Sequence, residues 1–346
     1  MLQAWKQLLE DSGAEFADGK LVSYGNPERE RRIPPQGDII CDLSHTGMIR
    51  VQGDDATDFL QNQLTNDINE VSESRAQLSA WCNPKGRVIA TFLVHKRAGS
   101  YYLALSADLV EYVLKRLQMY VLRSRVALED VSESLVHFGF LGSHILEDWD
   151  ACCDGELPTV DYDAVVVDGI SIIKVPAMVP RYEVVGEFET ASRLWQKLNV
   201  RAAPVNGDAW VYLNIASGIP VVNATSKEDW IPQMLNLQAI GGVSFKKGCF
   251  PGQEVVARVK YLGKNKRRTF RLQIDSDSMP EAGDLVLAED ESGATQEAGK
   301  ILNVVLNPDG KLEALAVLKI DLAEKPLMLE GGAPVRVLEL PFTVDE

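Results

Sequence analysis

The sequence has no long hydrophobic run and few aromatic residues. None of its apolar runs approaches the roughly 18 residues that a membrane-spanning helix needs, and aromatic residues make up 7% of the chain. The first residues lack the apolar stretch and small-residue cleavage site of a secretory signal, and they are not rich in arginine as transit peptides are. We therefore expect a cytoplasmic protein without membrane helices.

Cysteine is also scarce. The 346 residues include five cysteines, with no C-x-x-C pair and no spacing typical of a zinc or iron–sulfur site. We therefore expect reduced thiols and no tightly bound metal. Cys41, Cys82, Cys152 and Cys153 have no reactive setting in the sequence and are expected to be structural.

Basic residues are fewer than acidic ones. The chain has 35 basic and 50 acidic residues and a formal net charge of −15, which argues against a general affinity for nucleic acids, because cationic side chains dominate phosphate binding. The segment 245–268 is the exception, with eight basic residues, the single acid Glu254 and a net charge of +7. This segment is either a docking site for an anionic ligand or partner, or a solvated basic turn.

Length and composition indicate a globular protein of two or three domains. The segment 48–131 alternates strands and helices in a β-α-β-β-α-β order, which is the split βαβ module. Within it, Asn83-Pro84-Lys85-Gly86 predicts a hairpin turn between strands at 77–82 and 87–95. Proline suits the second position of such a turn and glycine the fourth.

A second set of strands and helices follows, up to about residue 217. It includes an acidic stretch at 147–163, around Cys152 and Cys153, that we expect to be a surface loop. After Arg268 the pattern changes to short apolar runs separated by Asp, Gly and Pro turns. That pattern predicts a small, barrel-like β domain.

Two blocks of the sequence resemble a known family. The first contains D-L-S-H-T-G at 42–47, V-Q-G-D-D-A at 51–56 and N-P-K-G-R at 83–87. The second ends in F-K-K-G-C-F-P-G-Q-E at 245–254, close to a Lys-Gly-Cys-Tyr-x-Gly-Gln-Glu core. With these blocks the chain resembles the YgfZ-type, folate-binding branch of the glycine-cleavage T-protein (GcvT-like) superfamily.

The resemblance implies an α+β fold. The expected architecture is a GcvT/YgfZ-like three-domain arrangement of split-βαβ (ferredoxin-like) modules plus a C-terminal β-barrel domain, around a central opening for folate. Residues 1–47 and 132–258 are assigned to a discontinuous first domain that carries the Lys-Gly-Cys motif. Residues 48–131 are assigned to an inserted ferredoxin-like domain, and residues 259–346 to the β-barrel domain.

The resemblance also implies a function. It predicts a folate-binding accessory factor in iron–sulfur cluster assembly or repair, which supports iron–sulfur enzymes, including tRNA-modifying ones, through Cys249. The expected cofactor is tetrahydrofolate or a related folate, and the expected partners are iron–sulfur client or assembly proteins. A tRNA is a further candidate partner through the +7 segment. The alternative function is that of a tetrahydrofolate-dependent aminomethyltransferase or demethylase.

Cys249 is the candidate catalytic residue. It lies between Gly248 and Gly252, which allow a sharp bend that exposes the sulfur, and it follows Lys246 and Lys247, whose charges can stabilise a thiolate. The alternative is a buried structural cysteine, the common fate of a free thiol.

Residues around the cysteine motif complete the candidate site. The candidate folate-binding residues are Trp210, Gln233, Asn236, Lys247 and Arg258. Trp210 either stacks on a pterin or belongs to the core, and Lys247 and Arg258 suit the glutamate tail of a folate. Gln253 and Glu254 either orient the cysteine loop through hydrogen bonds or cap the next element.

The chain departs from its relatives at several positions. Phe250 and Pro251 replace the usual tyrosine and threonine of the motif, which removes two hydroxyl groups. True aminomethyltransferases carry a pair of acids after the hairpin turn, where this chain has Ala90 and Thr91, so the obvious general base is missing. The four histidines have no metal-ligand spacing and no apparent acidic partner, and they stay unassigned.

Overall fold

A computed structural model describes residues 1–34, 36–152 and 155–344. The α-helices are α1 (Gln3–Asp11), α2 (Pro27–Arg32), α3 (Ala56–Gln61), α4 (Val110–Val121), α5 (Ser143–Cys152), α6 (Phe188–Leu198), α7 (Gly207–Ala216) and α8 (Gln253–Leu262). Short 3-10 helices cover Ile68–Glu70, Ala107–Leu109, Pro232–Leu235 and Ile320–Leu322.

The strands fall into three groups along the chain. The first group is β1 (Glu15–Ala17), β2 (Lys20–Ser23), β3 (Ile39–Asp42), β4 (Thr46–Gln52), β5 (Gln77–Cys82), β6 (Val88–Arg97), β7 (Ser100–Ser106) and β8 (Ala127–Asp130). The second is β9 (Val136–Leu141), β10 (Ala164–Val167), β11 (Ile170–Val175), β12 (Arg181–Gly186) and β13 (Ala203–Val205). The third is β14 (Arg267–Ile274), β15 (Leu285–Glu289), β16 (Thr295–Leu306), β17 (Leu312–Lys319), β18 (Leu327–Leu329) and β19 (Pro334–Leu338).

The chain divides into two compact units. The first unit comprises Met1–Thr57, Asn69–Gln77 and Leu93–Trp210. The second comprises Asp58–Ile68, Leu78–Phe92 and Val211–Glu346. The three-domain division drawn from the sequence stays a prediction.

The first unit contains a six-stranded sheet in the order β10-β11-β12-β9-β3-β13, in which β13 runs parallel to β3 and the other pairs are antiparallel. Alternate residues of β9, such as Phe138 and Phe140, enter a core that α1 and α6 complete. There, Trp5 of α1 meets Trp195 of α6 edge to face, with ring centroids 5.1 Å apart. The helices therefore cover one face of this sheet with aromatic contacts.

The acidic stretch predicted as a loop begins as a helix. Helix α5 runs to Cys152, and its Ile145 and Trp149, four residues apart, are buried in the core of the first unit. An apolar pair at helical spacing favours a helix with one face in the core, even within an acidic stretch. The loop prediction is therefore wrong for residues 147–152, while Cys153 lies outside the described residues.

A five-stranded sheet has the order β5-β6-β7-β4-β8. Three strands, β5 to β7, lie between helices α3 and α4 along the chain, so the order over this segment is β-α-β-β-β-α-β. The predicted order, with two strands between the helices, is therefore wrong by one strand. The predicted hairpin turn between β5 and β6 is confirmed, because the Gly86 N–H donates to the Asn83 carbonyl at 2.9 Å and Gly86 adopts a φ of +72°. This turn belongs to the second unit, where it meets the cysteine loop.

The second unit ends in a closed six-stranded barrel in the order β14-β17-β16-β15-β18-β19. Its interior is filled by small and branched apolar residues, including Val286, Ala314 and Ala316, which are 0% exposed. The predicted barrel-like β domain after Arg268 and the α+β fold class are both confirmed. No helix in the described part of the chain is long and apolar enough to cross a membrane.

Candidate functional site around Cys249

Cys249 is exposed at the surface of the second unit. It lies in the segment 245–252, which we call the cysteine loop, and helix α8 begins directly after it. The predicted exposure of the sulfur is therefore confirmed, and the buried structural alternative is wrong. An exposed thiol that precedes a helix N-terminus is open to electrophiles, metal ions and partner proteins.

The side chain of Lys247 anchors the cysteine loop. It is only 8% exposed, and its Nζ donates to the backbone carbonyls of Gln61 at 2.6 Å, Leu64 at 2.6 Å and Asn66 at 3.0 Å. An ammonium group has three N–H donors, so these carbonyls use all of them. Burial lowers the pKa of Lys247 to about 8, and nearby Asp67 acts in the opposite direction, so the group is mostly charged at neutral pH. Lys247 thus holds the chain after helix α3, and no donor remains for a folate or for the thiolate.

Gly252 brings the cysteine loop against the hairpin turn. Its φ is +80°, and a Cβ placed on it would lie 2.4 Å from the Gly86 Cα and 2.6 Å from the Asn83 carbonyl oxygen. These neighbours are backbone atoms that cannot move aside, so only glycine fits. Gly248, in contrast, has nothing within 4 Å of such a Cβ. Of the two glycines beside Cys249, Gly252 therefore makes the close contact.

The residues after Cys249 support the loop and start the helix. The Gln253 amide donates to the Gly248 carbonyl at 3.4 Å, which fits the loop-orienting alternative for this residue. Glu254 instead pairs with Arg258 one turn along α8 at 2.6 Å, which fits the helix-supporting alternative. Phe250 is 7% exposed and lies beneath the Lys247 ammonium, 5.6 Å from its ring centroid.

Two amide side chains in the segment before the cysteine loop have buried oxygens without hydrogen-bond donors. Gln233 and Asn236 are 4% and 0% exposed. Their N–H groups donate to the carbonyls of Val256 at 2.5 Å and Thr269 at 2.8 Å. Their carbonyl oxygens, Gln233 Oε1 and Asn236 Oδ1, are buried without a hydrogen-bond partner. Buried acceptors without a donor are costly, so these two atoms are candidates for ligand contacts.

Trp210, the last residue of the first unit, is packed inside that unit. It is 1% exposed, its indole N–H donates to Glu183 Oε1 at 3.2 Å, and the Arg181 guanidinium lies 4.8 Å from its ring centroid. A Cβ placed on Gly139 would come within 2.3 Å of its six-membered ring. These contacts fit the core alternative for Trp210 rather than stacking on a pterin.

A buried hydrogen-bonded pair, His137 and Glu183, could not be predicted from the sequence. His137 Nε2 lies 2.9 Å from Glu183 Oε2, and both side chains are largely buried in the first unit. The hydrogen bond and charge of His137, together with Arg181 and Trp210, hold the pKa of Glu183 below its usual value despite burial. The two residues are 46 positions apart and meet only through the pairing of β9 with β12, so no local signal could have joined them. The expectation that no histidine has an acidic partner is wrong for His137 and also for the exposed His144, whose Nδ1 lies 3.4 Å from an oxygen of Asp38.

The other described thiols lie away from solvent. Cys41 and Cys82 are buried, and burial raises the pKa of both thiols. Neither is available as a nucleophile in the folded protein, in line with the structural role expected for them. Among the described residues, no group of three or more His, Cys, Asp or Glu side chains is placed to hold a metal ion.

Ala90 and Thr91, at the positions where aminomethyltransferases carry a pair of acids, have structural roles here. Ala90 is fully buried. The Thr91 hydroxyl donates to the Pro220 carbonyl at 3.3 Å and accepts from the Val222 N–H at 3.2 Å. Neither side chain can take a proton from a substrate.

Comparisons with known proteins agree on both the family and the fold. The GCVT N-terminal domain family matches residues 28–203. The chain is 33% identical over 292 residues to the tRNA-modifying protein YgfZ of Hamiltonella defensa, covering 84% of this chain and 86% of the relative. It is 32% identical over 314 residues to the tRNA-modifying protein YgfZ of Colwellia psychrerythraea, covering 88% and 93%. Among solved structures, glycine cleavage system aminomethyltransferase T from Bartonella henselae is similar with a TM-score of 0.75 and 17% identity, covering 99% and 98% of the two chains.

The fold and the N-terminal domain match define a GcvT-like class of protein. At these levels of identity and coverage, the chain belongs within that class to the family of the tRNA-modifying protein YgfZ. The family predicted from the Lys-Gly-Cys block is thereby confirmed. The likeness to aminomethyltransferase T is one of fold, since the two chains share 17% of their residues.

The two glycines beside Cys249 provide a matched test of this geometry. Gly252→Ala should destabilise the protein by about 2 kcal/mol or more, because it adds a backbone clash to a strained positive φ. It should also change the rate at which an alkylating reagent modifies Cys249, followed by mass spectrometry of the Cys249 peptide. Gly248→Ala, where space is open, should leave the unfolding midpoint and the alkylation rate close to those of the parent. Equal effects of the two substitutions would contradict the contact with Gly86.

Proposed function

We propose that this protein is a folate-binding accessory factor in the assembly or repair of iron–sulfur clusters. It supports iron–sulfur enzymes, including those that modify tRNA, and it acts through Cys249. The observation that carries the proposal is an exposed thiol on a loop whose backbone is fixed by buried contacts. The tRNA-modifying name of its YgfZ relatives fits such a role, since support of an iron–sulfur enzyme can affect tRNA indirectly.

Cys249 has the properties of a group that acts on a partner rather than on a small substrate. Its sulfur is exposed, whereas a cysteine that binds a resident cluster has further ligands close by. Among the described residues no such ligand group is present. A single accessible thiolate can attack an electrophilic sulfur or bind the iron of a client's cluster transiently. The cluster is then cargo, and the remaining ligands come from the client.

The second unit offers groups that suit a folate. The buried oxygens of Gln233 and Asn236 lack donors, and the N–H groups of a pterin ring are donors of the right kind. Arg258 is exposed on α8 and can pair with the carboxylates of a glutamate tail in exchange for Glu254. Lys247, also proposed from the sequence, would contribute by holding the surrounding structure, because its three N–H donors are engaged. Trp210, the other residue proposed from the sequence, has its indole N–H engaged within the first unit. A bound tetrahydrofolate would supply the capacity to accept or donate one-carbon units.

The alternative, a tetrahydrofolate-dependent aminomethyltransferase or demethylase, finds less support. Such chemistry needs a base near the folate, and the matching positions hold a buried Ala90 and a Thr91 whose hydroxyl is committed to the backbone. Turnover of an amine donor in the presence of tetrahydrofolate would favour this alternative.

The role of Cys249 can be tested in cells that lack their own YgfZ relative. The parent protein should restore the activity of a four-iron client enzyme under oxidative stress, whereas Cys249→Ser should leave that activity at the level of the empty vector. Gly248→Ala is the matched control and should rescue like the parent, with protein levels compared by immunoblot. Equal rescue by Cys249→Ser would show that the thiol is not needed, and no rescue by the parent would overturn the proposed process.

Folate binding can be tested separately by calorimetry with 5-formyltetrahydrofolate. Gln233→Leu removes the buried acceptor and should weaken binding about ten-fold or more, because a ligand N–H is then left unpaired. Met234→Leu, a volume-conserving change at the next position, should bind like the parent. Equal affinities of the two variants, with unchanged unfolding midpoints, would remove Gln233 from the folate site.

A further inference from the structure

The C-terminal end of helix α8 is rich in basic residues, although the protein as a whole is acidic. We define the α8 tip by Phe245, Lys246, Arg258, Lys260, Tyr261, Leu262, Lys264 and Lys266. It lies within the segment of net charge +7, in a chain whose net charge is −15. A segment with a strong excess of one charge attracts a partner of the opposite sign.

The lysines of the α8 tip are not neutralised by the protein. Lys246, Lys260, Lys264 and Lys266 are exposed, and in the described part of the chain none of them lies within ion-pair distance of a carboxylate. The one acid of the segment, Glu254, is already paired with Arg258. Four ammonium groups without a carboxylate partner are therefore presented to solvent, where each can replace a counterion on a phosphate chain.

An exposed aromatic ring lies among these charges. Tyr261 is 65% exposed, and its ring meets Phe245 edge to face at 6.5 Å between centroids. The Lys260 ammonium covers the Phe245 ring at 3.6 Å from the centroid and lies 5.6 Å from that of Tyr261. The contact with Phe245 fixes Tyr261 at the surface, and most of its ring stays open for stacking.

The composition of the α8 tip favours a nucleic acid over an acidic protein surface. Tyr261 and Leu262 are its only exposed large apolar residues, too few for the apolar core of a stable protein interface. Lysine is depleted in protein–protein interfaces, whereas cationic side chains around an exposed ring are typical of proteins that bind single-stranded nucleic acids.

From these observations we infer that the α8 tip binds RNA with unpaired bases. Its lysines contact the phosphate backbone, and Tyr261 stacks on one base. This inference goes beyond the proposed role of Cys249 and does not depend on it, because it concerns binding alone. An RNA bound to the α8 tip would lie next to the start of the cysteine loop, because Phe245 belongs to both the α8 tip and the cysteine loop.

Fluorescence anisotropy with a labelled single-stranded RNA of about 12 nucleotides tests the inference. The parent should bind, with an affinity that falls steeply between about 50 and about 200 mM salt. The double variant Lys264→Gln/Lys266→Gln should bind about ten-fold less tightly, and the slope of log affinity against log salt should fall by roughly 1.4, or 0.7 for each lost phosphate contact. A matched double variant on other surfaces, Lys20→Gln/Lys325→Gln, should bind like the parent.

The stacking contact is tested with two substitutions of one residue. Tyr261→Ala should weaken binding about five-fold or more, whereas Tyr261→Phe should retain it, since the ring and not the hydroxyl stacks. Absence of binding by the parent, or equal losses in the two lysine double variants, would overturn the inference. If polyglutamate of equal charge competes as well as RNA and Tyr261→Ala has no effect, the surface binds acidic protein segments instead.

Discussion

The hydrogen bonds of the Lys247 ammonium with three backbone carbonyls determine how Cys249 is presented. Those carbonyls belong to Gln61, Leu64 and Asn66, in the last residue of helix α3 and the turn after it. Such charge-assisted bonds satisfy carbonyls that a helix end leaves without partners. Because Lys247 is two residues before Cys249, a buried lysine on one side of the loop leaves the thiol exposed on the other.

Other contacts also fix the two ends of the cysteine loop. Further hydrogen bonds join the chain after α3 to the segment before the cysteine loop, from Thr65 Oγ1 to the Gly242 carbonyl at 2.8 Å and from Asn66 Nδ2 to the Gly241 carbonyl at 2.7 Å. At the other end of the loop, Gly252 packs on Gly86 of the hairpin turn. The loop is thus fixed at both ends, which limits the entropy lost when a partner engages the thiol.

The parts of the molecule that have local sequence signals could be predicted from the sequence. The hairpin turn follows from Pro84 and Gly86, and the barrel follows from short apolar runs between turns. The exposure of Cys249 follows from its glycines and its motif. Short elements such as β1 and β13, with three residues each, have no periodicity long enough to detect.

The sequence could not reveal contacts made between distant positions. The partners of Lys247 are about 180 residues away, so the sequence shows only a lysine close to a cysteine, a pattern that indicates electrostatic support for a thiolate. A tryptophan at the start of an apolar helix can stack on a ligand or belong to the core. The contacts of Trp210 with Gly139, Arg181 and Glu183, all distant in sequence, favour the core. Tertiary packing decides which of several neighbouring basic residues is buried and which is exposed.

Hydrogen exchange in Lys247→Met, compared with Lys246→Met at the exposed neighbouring lysine, tests the central claim most directly. If Lys247 anchors the cysteine loop, its loss leaves three carbonyls without their donor and costs about 2–4 kcal/mol. The amides of Ser244 and Gln253, which are bonded to the Thr65 and Phe250 carbonyls, should then exchange much faster in Lys247→Met than in the parent. Lys246→Met should exchange like the parent. Equal protection of these two amides in both variants would contradict the account.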